Sequence, residues 1–162
     1  MYWTRFTSVA HNAIVSKGEM DGSNPTNLVT NLGEARGIQI DIKTKRLYWT
    51  NPKSKSIESS NLNGTACVTV HQLEYGPYGI ALFHERLYWG YGGVSNSIES
   101  GGIQAGGHRR IEHTGKALTR HFTVPIWNQG GSRPNNCKGI DCSGVCVLTR
   151  TAFRCVRKLN NL

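Results

Sequence analysis

Stretches in which apolar and polar residues alternate recur along the first two thirds of the chain. A Gly-Ile stretch at 37–41 and again at 79–83 leads through a short polar turn into an apolar-Tyr-Trp stretch, at 47–49 and 87–89. Alternation at period two predicts half-buried β-strands. A Tyr-Trp pair also opens the chain at Tyr2-Trp3. The pattern therefore predicts a repeating unit built from short strands.

Each unit continues with two further predicted strands. Ile57–Gly64 resembles Ile98–Gly106, with a weaker echo at Ile14. Asp21-Gly22 and Asn63-Gly64 predict hairpin turns in which both central residues take positive φ. Final strands are predicted at 27–30, 67–70 and 110–112, one more at 118–124, and a linker at 130–134. Trp49 lies 46 residues after Trp3, and Trp89 lies 40 after Trp49. Four strands at this interval are the size of a propeller blade.

The length leaves room for one domain, or for one domain plus a small appendage. The chain has 162 residues, 19 of them Gly, and only 38% are hydrophobic, which favours short strands and many turns. Its net charge of +9 raises nucleic acid, acidic glycans and acidic proteins as partners. The basic residues are scattered, however, and we interpret them as a solvated positive surface. Nucleic acid is not expected.

Hydropathy gives no sign of a membrane span, because no run approaches the roughly 18 to 20 apolar residues that one needs. Met1 is followed at once by the first repeat, without the pattern of a signal peptide. We therefore expect the chain to be a fragment of a longer protein.

The cysteines are unevenly distributed. Four of the five lie in the last 26 residues, at 137, 142, 146 and 155, which predicts a small disulfide module and an oxidising compartment. Zinc is the alternative, although of the spacings of four, three and eight residues the last exceeds the usual Cys-x2-4-Cys pair. Cys67 stands alone. We interpret it as a buried free thiol rather than an intermolecular bridge.

Taken together, these residues resemble the YWTD (class B) repeats of the low-density lipoprotein receptor family. The tail, with Asn128-Gln129 before the cysteines and Cys142 to Cys146 spaced Cys-x-x-x-Cys, resembles the EGF-like module that follows such repeats. The resemblance implies an all-β fold: about three four-stranded blades of a six-bladed β-propeller at 1–129, then a degenerate or truncated EGF-like module at 130–162. An incomplete ring would expose two apolar blade faces.

The resemblance also identifies departures from the family pattern. The fourth motif position, normally an Asp that ties blades together, holds Arg5, Asn51 and Tyr91. We expect looser blades, with Asn51 keeping part of the network, while Asp41 is retained. EGF-like order implies the pairs Cys137–Cys146 and Cys142–Cys155. Calcium is not expected, because 133–136 lacks acidic residues.

Candidate sites follow from the same reading. The motif tryptophans could stack on a ligand, but their common phase favours packing, so the motif residues are interpreted as structural: Tyr2, Trp3, Thr4, Tyr48, Trp49, Thr50, Tyr88 and Trp89. Asn63-Gly64-Thr65 is a glycosylation sequon on a predicted turn. The six histidines are scattered and no catalytic or phosphate-binding motif is present, so no enzyme and no cofactor is expected.

The resulting functional hypothesis is a non-catalytic extracellular module of a lipoprotein-receptor-related protein that binds secreted protein ligands. The Wnt co-receptor branch is one option. Such a module would be secreted, or lie outside the plasma membrane with a membrane link only through a parent receptor. A structural spacer and a module that binds acidic glycans are the alternatives. Ligands are expected at loops on one rim, with these candidates: Lys53, Lys55, Tyr75, Tyr78 and Tyr91.

Overall fold

A computed structural model describes residues 1–7, 12–91, 97–107, 109–114, 145–148 and 153–156, the last three ranges and residue 7 by their backbone alone. The strand expected at 118–124, the linker at 130–134, and Cys137 and Cys142 lie outside these residues.

The described residues form four antiparallel sheets. The first is β1 (Tyr2–Thr7), β2 (Asn12–Lys17) and β3 (Thr26–Val29). The second is β4 (Ile38–Asp41), β5 (Arg46–Asn51), β6 (Ser56–Asn61) and β7 (Val68–Gln72). The third is β8 (Pro77–Phe83), β9 (Arg86–Tyr91), β10 (Ser97–Gly102) and β11 (Arg109–Thr114). The fourth is the hairpin of β12 (Val145–Leu148) and β13 (Phe153–Val156). The all-β prediction is confirmed, and two of the three blades have four strands in sequence order.

The three larger sheets repeat one register. In each, a β-bulge follows the same position of the third strand of the unit, between Val15 and Ser16, Ile57 and Glu58, and Ile98 and Glu99. This register makes Val15, and not Ile14 as the sequence suggested, the counterpart of Ile57. Neighbouring side chains of a strand point to opposite faces of the sheet, and Val15 and Ile57 are both fully buried, as this assignment requires. The first sheet contains no described counterpart of β4 and β8, since β1 corresponds to β5.

Two apolar cores lie between successive sheets. Trp49 faces the first sheet, where it packs in one core with Ala13 and Val15, whereas its neighbour Tyr48 packs with Ile80 of the third sheet. Neighbouring strand residues point to opposite faces, so the Tyr-Trp pair supplies both sides of its blade. Trp49 and Trp89 are 0% exposed. Replacing a side chain of this size in a core by Ala costs about 3–5 kcal/mol.

Threonine hydroxyls connect one blade to the next. Thr4 Oγ1 donates to the Arg36 carbonyl at 2.6 Å, and Thr50 Oγ1 donates to the Tyr78 carbonyl at 2.7 Å. Arg36 and Tyr78 both precede the Gly-Ile pair of the following blade, so the two bonds are equivalent. A Cβ at Gly37 would lie 2.7 Å from the Tyr78 oxygen. This close approach explains why glycine begins the Gly-Ile strand.

The fourth motif position has three different roles. Asn51 Nδ2 donates to the Leu32 carbonyl at 2.9 Å, on the connection from the first sheet, so Asn51 does keep part of the network. Tyr91 is 1% exposed and accepts a bond from Trp89 Nε1 at 3.1 Å. Arg5 is exposed. Asp41 is used within its own blade, where it accepts bonds from the backbone of the β4–β5 turn.

The two predicted Asx-Gly turns form, but with a different geometry. Within each Asx-Gly pair only the glycine takes positive φ, 84° at Gly22 and 85° at Gly64, and neither Asp21 nor Asn63 does. The Gly64 N–H donates to the Asn61 carbonyl at 2.9 Å. The loop therefore has three residues, one more than the expected two-residue hairpin. Its last residue is the glycine in the left-handed conformation.

Candidate functional site

Antiparallel order places the expected ligand-binding residues at one end of the blades. The β5–β6 turn (52–55), the β7–β8 connection (73–76), and the starts of β4 and β8 all lie at this end, which we call the rim end. The opposite end, called the far end, carries the β4–β5 and β6–β7 turns. Lys53, Lys55, Tyr75, Tyr78 and Tyr91 all belong to the rim end.

The two rim-end loops of the second blade are fixed to each other. The Leu73 N–H donates to the Lys55 carbonyl at 2.8 Å, and Gln72 Nε2 donates to the Ser54 carbonyl at 2.9 Å. A Cβ at Gly76 would lie 2.8 Å from the Pro52 oxygen, so the backbones also approach closely. The loops therefore present their exposed side chains from a connected surface.

An arginine stacks between two aromatic rings at the rim end. The Arg36 guanidinium lies 4.6 Å from the Phe6 ring centroid and 5.7 Å from that of Tyr78. These residues come from three successive blades. Glu34 binds Arg36 Nε at 2.6 Å, and the Arg36 side chain is 39% exposed. Arginine and tyrosine that are held in place and reachable by solvent are typical of protein-binding surfaces.

Tyr75 and Tyr91 meet edge to face, with ring centroids 5.9 Å apart. Tyr75 is 38% exposed, whereas Tyr91 is 1% exposed. The expectation that Tyr91 is an exposed rim residue is therefore wrong. Its ring fills the core and supports Tyr75 from beneath. A hydrogen bond to the Glu74 carboxylate raises the pKa of Tyr75 above its ordinary value.

Two exposed lysines complete this surface. Lys55 takes a left-handed conformation (φ 53°) in the β5–β6 turn. The Lys53 stem runs beside Gly33, where a Cβ would lie 3.0 Å from Lys53 Cδ. The sequence identified the lysines and tyrosines but missed Arg36 and Phe6. Their alignment depends on the packing of successive blades, and no local pattern reveals it.

A concave surface lies at the far end, between the β4–β5 and β8–β9 turns. Its volume is about 740 Å³, and Ile42, Lys43, His84 and Glu85 are among its lining residues. Lys43 Nζ and Glu85 Oε1 pair there at 2.8 Å. Lys43 lies in the β4–β5 turn and Glu85 in the β8–β9 turn, so the pair connects the second and third blades at the far end.

Cys67 is exposed, with its Sγ 3.4 Å from the Gly64 carbonyl. The expectation of a buried thiol is wrong, because the residue lies just before β7, where the neighbouring Val68 is also 46% exposed. In the C-terminal hairpin the backbone register places Cys146 opposite Cys155.

Neither a metal-ligand cluster nor a membrane-spanning helix is found in the described ranges. Within them, no three His, Cys, Asp or Glu side chains are grouped to hold a metal ion. The same residues include no helix with the length and apolar character to cross a membrane.

Comparison with known proteins identifies relatives over most of the chain. The vitellogenin receptor of Solenopsis invicta is 31% identical over 158 residues, which is 93% of this chain, and the vitellogenin receptor Yl of Drosophila melanogaster is 26% identical over 91% of it. The chain spans only 8% and 7% of these two relatives. Human low-density lipoprotein receptor-related protein 5 is 37% identical over 70 residues, or 43% of the chain.

Among solved structures, a chain of a nidogen/laminin complex matches with a TM-score of 0.63. The match covers 71% of this chain and 44% of the other, at 24% identity, which supports the fold. No family model matches the chain.

Proposed function

The YWTD repeats relate this chain to the low-density lipoprotein receptor family, and from that premise we propose that it is a non-catalytic, extracellular ligand-binding module of such a receptor. The parent protein is proposed to be a cell-surface receptor, because the relatives over most of the chain carry the name of receptors. Residues 130–162 are proposed to form the degenerate EGF-like module, with the pairs Cys137–Cys146 and Cys142–Cys155.

One observation carries the ligand-binding proposal. The rim end gathers Arg36, stacked between Phe6 and Tyr78, with the exposed residues Tyr75 and Lys55 on loops that are hydrogen-bonded to each other. Aromatic residues and arginine account for most hot spots of protein interfaces. A secreted protein with acidic and apolar groups on its binding surface would be complementary to this rim.

The coverage of the relatives favours one class of ligand. Similarity to the vitellogenin receptors extends over more than nine tenths of the chain, whereas similarity to receptor-related protein 5 extends over 43%. We therefore propose a yolk protein as the first candidate ligand. A Wnt-type protein, which is also a secreted protein, stays the second candidate.

Binding of purified vitellogenin to the immobilised chain tests the proposal. R36A and Y78A should each weaken binding by about thirtyfold or more, which corresponds to the roughly 2 kcal/mol of a hot-spot residue. K55E should also weaken it, whereas K45E is the matched control. Lys45 and Lys55 share the left-handed conformation (φ 55° and 53°) and are both exposed, but Lys45 lies at the far end.

Equal loss of binding in K45E and K55E, or unchanged binding in R36A and Y78A, would contradict a rim-end site. Binding of a secreted Wnt protein, with no binding of vitellogenin, would select the second candidate. Binding to heparin that falls steeply with salt would instead indicate an acidic-glycan ligand.

A further inference from the structure

The β6–β7 turn has the chemistry of a modification site. Asn63-Gly64-Thr65 satisfies the Asn-x-Ser/Thr rule for N-linked glycans. Asn63 Oδ1 accepts hydrogen bonds from Thr65 N at 3.1 Å and from Thr65 Oγ1 at 2.7 Å. Asn63 is exposed, and Nδ2, the atom that would carry a sugar, donates no hydrogen bond to any described residue. The turn therefore uses the amide oxygen and leaves the amide nitrogen available.

The first blade contains the same turn with a carboxylate in place of the amide. Asp21 Oδ1 accepts from Ser23 N at 3.1 Å and from Ser23 Oγ at 2.7 Å. The glycines agree in φ, 84° and 85°, and so do the residues three positions after Asp21 and Asn63, Asn24 at 51° and Ala66 at 53°. Turn geometry thus does not need an amide. What distinguishes Asn63 is the nitrogen.

The position of the turn decides what a glycan there would cover. The β6–β7 turn lies at the far end, opposite Arg36, Tyr78 and Lys55. It also lies close against the first blade, because a Cβ at Gly64 would lie 2.5 Å from the Leu28 oxygen. A sugar chain attached to Asn63 would begin on the side of the blades away from the rim end.

We propose that Asn63 carries an N-linked glycan that shields the far end and leaves the rim end open to ligand. This inference rests on the proposed extracellular function, because the modification requires passage through the secretory pathway. The donor is an oligosaccharide on a polyprenyl diphosphate. A bond forms between Asn63 Nδ2 and the anomeric carbon, the bond from that carbon to the diphosphate oxygen breaks, and the amide loses one proton as the diphosphate leaves.

The test compares the full chain with two variants, each secreted from eukaryotic cells behind an added signal peptide. Intact mass before and after enzymatic deglycosylation should show one glycan on the parent. N63D should carry none and keep the urea midpoint of the parent, because Asp21 already supports this turn. D21N, which creates an Asn-Gly-Ser sequon in the equivalent turn, should carry two. A secreted parent without a glycan would overturn the proposal.

Placement has its own readout. Removal of the Asn63 glycan should leave the affinity for vitellogenin within about twofold. A gain of tenfold or more would mean that the glycan covers the rim end, which contradicts its proposed place at the far end. The rim variants are measured on the deglycosylated chain. Their result therefore tests the ligand-binding function, and the mass measurement tests the glycan.

Discussion

Replacing Thr50 by Val should weaken the connection between the second and third blades. Thr50 is 0% exposed, and its hydroxyl donates to the Tyr78 carbonyl at 2.7 Å and accepts from the Gly37 N–H at 2.9 Å. Valine keeps the shape and removes both bonds, although the Gly37 N–H keeps its 3.1 Å bond to Tyr78. The two bonds that are lost are worth about 0.5–1.5 kcal/mol each, or about 1–3 kcal/mol together. T50V should therefore lower the free energy of unfolding by that amount.

Thr4 provides the matched comparison, because its hydroxyl makes the equivalent bond at a partly exposed position. One such bond is worth about 0.5–1.5 kcal/mol, so T4V should cost less than T50V. T50S keeps the hydroxyl and should recover most of the loss. Urea unfolding followed by tryptophan fluorescence gives the three values, provided that the slopes agree. The reasoning is refuted if T4V costs as much as T50V, or if T50V unfolds at the midpoint of the parent.

Three further substitutions test other contacts. G37A places a Cβ 2.7 Å from the Tyr78 oxygen and should cost about 1–3 kcal/mol in urea unfolding, whereas G102A, whose Cβ would have only Gln104 N at 4.0 Å, should be nearly neutral. Y91F removes the acceptor of Trp89 Nε1 and should cost about 1–3 kcal/mol, with a shift in tryptophan emission; an unchanged midpoint would contradict the role given to this hydroxyl. The hydrogen bond between Lys43 and Glu85 raises the pKa of Lys43 above its ordinary value and lowers the pKa of Glu85 below its ordinary value. The contribution of Glu85 should be lost as pH falls through its lowered pKa, and that of Lys43 as pH rises through its raised pKa. In E85Q the melting temperature should no longer show the part of its fall at low pH that comes from protonation of Glu85. In the parent, high salt should make that part of the fall smaller.

The repeat could be predicted from sequence because it rests on local pattern. Period-two alternation and the Tyr-Trp pair predicted strands that the structure confirms, including β5 and β9. The register was harder. Ile14 and Val15 are both aliphatic and adjacent, and only the shared bulge decides which of them faces the core.

Burial at single positions depended on contacts between blades, which no local pattern contains. Tyr91 replaces a polar family residue, and the sequence suggested exposure, but its ring is buried beneath Tyr75. Arg36 was not singled out, because Phe6 lies 30 positions before it and Tyr78 lies 42 after it. Cys67 was expected to be buried as cysteines usually are, and its place before β7 exposes it instead.

The threonine connection between blades has a consequence for how the rim can change. Each hydroxyl binds the main-chain oxygen of the residue before the Gly-Ile pair, and every amino acid supplies that oxygen. Arg36 and Tyr78, two chemically unrelated side chains, are accepted at this position with the same bond. Their side chains meet over the rim end. Mutation can therefore change the side chains that the rim end presents at these two positions while the hydrogen bond between the blades is kept.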